Sequence, residues 1–105
     1  MRSEQRTRLA TDVIAPPETF AELAHRLQTI KTERRGGLST VASFALEQPL
    51  EVALGTVRSI AERCGTHPPT VVYLAHALGF GGFPEMRKFI QRLFRPWMIA
   101  DASGS

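Results

Sequence analysis

A single cysteine among 105 residues leaves no internal disulfide to form. Cys64 also falls on an apolar stripe, where a small buried hydrophobe is the simplest reading. The three histidines, His25, His67 and His76, share no i, i+3 or i+4 spacing. With no second cysteine beside them, a structural zinc is excluded, and neither a metal nor another cofactor is expected. No apolar run reaches the length of a membrane span, and the opening MRSEQRTRLATD is polar and charged throughout. The chain therefore reads as cytosolic, without a signal peptide and without a membrane partner. The G-x-S-x-G, P-loop and G-x-G-x-x-G patterns are missing. The GFGGF turn is glycine-rich, but it follows a helical pattern instead of a strand and lacks the Lys-Ser/Thr pair. An enzyme is not expected. No internal repeat or low-complexity tract is visible, which removes solenoid and linker architectures.

What is present suits one small domain. Hydrophobic residues make up 43% of the chain, enough for a compact core of short helices. The net charge of +3 is modest, and its distribution says more than the total. Arg2, Arg6, Arg8, Lys31, Arg34 and Arg35 crowd the first third, and Arg87, Lys88, Arg92 and Arg95 fall near the end. Either cluster suits an acidic partner, although a charge run is ordinarily a solvated face.

Apolar periodicity predicts an all-α fold, a bundle of five helices. Residues 1–17 end at the Ala15, Pro16, Pro17 break, carry few large apolar groups, and read as a disordered basic arm. Phe20, Leu23, Ala24 and Leu27 make the first stripe; Leu38, Val41, Ala42 and Ala45 make the second, after a break at Gly36 and Gly37. The segment PLEVALG is too short for a stable helix alone and reads as a turn of helix or an extended bridge. Val57, Ile60, Ala61 and Cys64 form the third stripe, and Val71, Leu74, Ala75 and Leu78 the fourth. Met86, Phe89, Ile90 and Leu93 form the fifth, behind a Pro84 suited to a first turn; Phe80, Phe83 and Phe89 read as core. Order is expected to end at Pro96 and Trp97. The domain thus covers 18–97, and 98–105 is a tail or linker.

The third and fourth stripes meet across a tight break. Gly65 suits the left-handed residue just past a helix end, and Gly79 supplies a second stop. Pro68 and Pro69 fit only in a first helical turn, with Thr66 the expected N-cap. Two short amphipathic helices joined by a glycine-containing turn are the pattern of a helix-turn-helix, whose second helix lies in the DNA major groove. Periodicity alone does not separate that motif from any antiparallel helical hairpin.

The residues within the pair add a resemblance. The stretch IAERCGTHPPTVVYLAHALGFGGFPEMRKFI resembles the N-terminal, homeodomain-like helix-turn-helix domain of RpiR-type transcriptional regulators. The matching positions include Ile60, Ala61, Glu62, Gly65, Pro68, Thr70, Val71, Val72 and Ala75, followed by Leu78, Gly79, Phe80, Gly82, Phe83, Pro84 and Glu85. A looser likeness runs upstream through ASFALEQPLEVALGTV, so the resemblance covers about residues 20–95. The family usually has serine at the position of His67 and basic or polar residues at those of Tyr73, His76 and Ala77. The helix predicted over 67–78 has no Lys or Arg.

The resemblance implies a bacterial, cytoplasmic DNA-binding transcriptional regulator of sugar or carbohydrate-derivative metabolism. It implies double-stranded DNA and a second copy of the chain as partners. A phosphosugar effector would act only through a sugar isomerase (SIS) domain that this sequence does not contain. Under that reading residues 67–77, from His67 on, are presented to the groove: Thr70, Tyr73 and His76 face base edges and sugar, Pro69 and Ala77 meet thymine methyls or backbone, and Arg35, Arg58 and Lys88 contact phosphates. The lack of basic residues on the reading helix, together with the apolar Trp97, Met98 and Ile99, motivates a second expectation: a non-enzymatic protein-interaction module that keeps the helix-turn-helix fold but binds DNA weakly or not at all.

Overall fold

The computed structural model describes residues 14–104, and among them the regular structure is entirely helical. The elements are α1 (Phe20–Glu33), α2 (Gly36–Glu47), α3 (Pro49–Leu54), α4 (Val57–Cys64), α5 (Pro68–Ala77) and α6 (Phe83–Gly104). Six helices replace the five expected, because the bridge after Gln48 is itself helical. Six residues cannot hold a helix unaided. Here Val52 and Ala53 are buried, and α6 serves the carbonyls at the end of the helix: Arg87 Nη1 donates to Gly55 O at 3.1 Å and Gln91 Nε2 to Ala53 O at 2.9 Å. Arg87 is thereby committed to the scaffold.

α2 is the hub, packing against α1, α3, α4 and α5, while α6 closes the far side against α3 and α5. One core joins all six helices. Leu23 and Leu27 enter it from α1, Val41 from α2, Ile60 from α4, Leu74 from α5 and Ile90 from α6, each at most 2% exposed. Phe80, Phe83 and Phe89 are buried as expected, and Phe80 and Phe89 lie tilted with centroids 5.5 Å apart. At the start of α1, Thr19 caps the helix by accepting from the Glu22 N–H at 3.1 Å.

Three boundaries differ from those expected. The break between α1 and α2 falls at Arg34 and Arg35, and the two glycines belong to the first turn of α2. Gly36 turns the chain at φ +69°. Gly37 has no room for a side chain, since an added Cβ would meet the Thr66 hydroxyl and lie 3.2 Å from Thr66 Cβ. The glycines therefore let α2 press against the α4–α5 turn, and the flexible break lies one step earlier. At the other end, α6 runs through Pro96 to Gly104. That proline sacrifices the N–H that would have bonded Arg92, and the helix continues past it. Finally, residues 14–17 of the expected arm lie against the bundle: Pro17 is buried, and Ala15 O accepts from Arg26 Nη1 at 2.6 Å. The rest of the arm, 1–13, lies outside the described residues.

Candidate nucleic-acid interface

α4 and α5 are set by their ends. α4 opens on a reciprocal capping box, in which Ser59 N–H donates to Thr56 Oγ1 at 3.0 Å and Thr56 N–H to Ser59 Oγ at 2.9 Å. Serine stands here where the sequence signature of that box calls for Glu or Gln, which is why spacing did not reveal it. α4 stops at Gly65, with φ +66°, through paired bonds from Thr66 N–H to Ala61 O (2.9 Å) and Gly65 N–H to Glu62 O (3.2 Å). α5 stops in the same way at Gly79, with φ +99°: Phe80 N–H bonds Ala75 O at 3.0 Å and Gly79 N–H bonds His76 O at 2.9 Å. Both glycine stops stand where the sequence placed them.

The expected N-cap does not. His67 occupies that position, extended and without a side-chain cap bond, while the Thr66 hydroxyl makes a long 3.4 Å contact with Thr70 Oγ1. The two prolines explain the change. With Pro68 and Pro69 at the first two helical positions there is no N–H for a cap to serve there, and the next donor, Thr70 N–H, is met by His67 O at 2.9 Å.

The inner face of α5 carries Val71, Leu74, Ala75 and Leu78, all fully buried, and fixes what the outer face shows. Pro68, Pro69, Val72, Tyr73 and His76 line a shallow concavity, at i, i+1, i+4, i+5 and i+8 along one side of the helix. Tyr73 is 49% exposed, and the guanidinium carbon of Arg34 lies 6.0 Å from its ring centroid, within cation–π range. His76 Nε2 is 3.1 Å from Gly81 O. A carbonyl only accepts, so Nε2 is the donor in this contact. No carboxylate occurs on α5.

Of the residues singled out from sequence, Pro69, Tyr73 and His76 come together on this surface, with His67 exposed at its head. Thr70 and Ala77 are half-buried at its margin, and the methyl of Thr70 faces Gly37 of α2. Arg35 is exposed next to Arg34, and Arg58 is exposed on α4. Lys88 lines a different groove, between α6 and Pro16, Pro17 and Glu18, which contains no α5 residue. Sequence reasoning missed Pro68, Val72 and Arg34. The first two share the helical spacing of Pro69, Tyr73 and His76 and were recoverable from it. Arg34 was not, because it reaches α5 from the α1–α2 loop.

Away from α5, the exposed ion pair of Arg63 with Glu51, at 2.9 Å, spans a second groove, where Arg63 also lies over Phe44 at 5.3 Å. Leu50 and Leu54 are exposed beside it on α3, Leu54 by 69%. Burial pushes the Cys64 thiol up, only partly offset by the neighbouring Arg63, so it stays protonated near neutral pH. Among the described residues no three His, Cys, Asp or Glu side chains group to hold a metal ion, and no helix is long and apolar enough to cross a membrane.

No model of a known protein family matches this chain, and no curated protein matches it. Among solved structures, it superposes on the N-terminal domain of the "putative transcriptional regulator ybbH" of Bacillus subtilis subsp. subtilis str. 168 with a TM-score of 0.59. Identity is 20%, over 65% of this chain and 83% of that one. At that identity the likeness establishes the fold alone: this chain folds as that N-terminal domain does.

Proposed function

We propose that the chain is the DNA-binding domain of a transcriptional regulator and that it enters the major groove with α5. The observation that carries this reading is the construction of α5. One face is wholly buried, both ends are fixed by turn geometry, and the opposite face is free of carboxylates and edged by Arg34. The shared fold with a domain named as part of a transcriptional regulator supports it, as does the RpiR-type wording around the turn. In this reading Tyr73 and His76 reach base edges, Pro69 packs on the groove floor, and Thr70 and Ala77 stay at the margin. His67, Arg34, Arg35 and Arg58 lie toward sugar and phosphate, and Lys88 serves the groove of residues 16–18 instead. The domain is non-catalytic. It works as a homodimer on half-sites ~34 Å apart, because one helix spans only a few base pairs. Sugar-linked control would come from an effector-binding SIS domain outside this chain.

Anisotropy titrations of the 105-residue chain against duplexes enriched from a random pool, and against scrambled duplexes, test this at two salt concentrations. The expected result is a preference above ~10³ for the enriched duplex, with affinity falling as salt rises because phosphate contacts release counterions. Equal, weak binding to both duplexes would overturn it. One observation favours a second reading, a protein-interaction module: the exposed surface of α5 is mostly carbon and has no Lys or Arg of its own. That module would bind a protein with little dependence on salt.

A further inference from the structure

We infer that α5 selects its half-site through the C5 methyl groups of thymine, so that the base pairs beneath Pro68, Pro69, Val72 and Tyr73 are A·T pairs. The inference rests on the DNA-binding reading and says what that surface recognises. Each base pair shows the major groove a distinct set of groups, and each set demands particular side chains. Guanine presents two acceptors and calls for the paired donors of Arg or Lys. Adenine is read best by the amide of Asn or Gln. The α5 sequence PPTVVYLAHA contains none of these four residue types. Thymine alone presents a methyl group, which asks only for carbon.

Carbon is what the surface offers. Two proline rings, the Val72 methyls and the Tyr73 ring line it, and Pro68 and Pro69 have no N–H to donate. The Tyr73 hydroxyl and His76 are the polar exceptions, and the Nε2–H of His76 is engaged by Gly81 O, which leaves Nδ1 as its ring atom for a base. As an acceptor it suits the N6 amino group of adenine, the partner of thymine, and equally the N4 amino group of cytosine, so the choice of A·T rests on the methyl contacts. The choice of DNA over an apolar protein follows from charge. The Arg34 guanidinium lies beside Tyr73, Arg35 follows it in the chain, and no carboxylate occurs on the helix. An apolar strip with a cationic edge complements a groove whose floor carries methyls and whose walls carry phosphates.

The experiment takes duplexes enriched by the 105-residue chain and rebuilds them with deoxyuridine for thymine inside the half-sites, which removes the methyls and preserves base pairing. Each methyl that packs on the helix contributes about fourfold in affinity, so loss of two or more lowers binding about tenfold or further. Deoxyuridine confined to the flanks leaves affinity unchanged, and Val72→Ser narrows the gap between thymine and uracil duplexes. Uracil half-sites that bind as tightly as thymine ones, with the preference over scrambled DNA intact, would overturn thymine reading and leave DNA binding standing. No preference for any duplex would overturn both.

Discussion

Truncating Leu74 to alanine is expected to lower the unfolding free energy by about 3 kcal/mol, within the range for a fully buried leucine. Leu74 is 0% exposed at the middle of α5, between Val71 and Leu78, which are equally buried. These side chains fasten the helix to the bundle. Its ten residues are too few to stay helical on their own. A domain of this size has about 5–10 kcal/mol to lose, so the variant should remain folded at 25 °C with its urea midpoint moved sharply down. Affinity for an enriched duplex should change little once unfolded chain is accounted for, because Leu74 points away from the concavity. A loss below about 1 kcal/mol would mean that α5 is not held from behind as described.

The two glycine stops form a matched pair with unequal consequences. Gly65→Ala is expected to cost about 1 kcal/mol, the ordinary penalty of a side chain at left-handed φ, since nothing lies within 4 Å of the added Cβ. Gly79→Ala should cost about 3 kcal/mol. Its φ of +99° is further from the left-handed minimum, and the new Cβ would fall 2.7 Å from Ala15 O and 3.0 Å from Ala15 C. Residues 14–15 would have to leave the end of α5, and Arg26 would lose its bridge between Ala15 O and Leu78 O, the latter at 2.9 Å. Chemical denaturation of the two variants side by side measures the difference. Equal losses would contradict the docking of residues 14–15 on the turn after α5.

That bridge also shows where reading the sequence ran out. Glycine stops and proline first turns are local chemistry, and Gly65, Gly79, Pro68 and Pro84 could be placed because each acts within a few residues of itself. α3 was legible only as a possibility, since its stability comes from Arg87 and Gln91, more than thirty residues away. The Thr66 cap failed for an equally local reason: the prolines had already removed the donors it would have served. On the candidate site, helical spacing grouped Pro69, Tyr73 and His76, which line one concavity. Thr70, set on the same face by spacing, is half-buried with its methyl toward Gly37, because nothing in α5 announces how closely that glycine lets α2 approach. Arg34, whose guanidinium lies beside Tyr73, could be found only once the loop between α1 and α2 had a position.

If the outer face of α5 is the binding surface, amide shift mapping will locate DNA there. The 15N-labelled chain would be titrated with an enriched duplex and followed residue by residue. The largest changes are expected at His67, from Thr70 through His76, and at Arg34 and Arg35, with Leu50, Leu54 and Lys88 little affected. Changes concentrated on Leu50 and Leu54, or on the Pro17–Lys88 groove, with α5 unmoved, would contradict binding through that face.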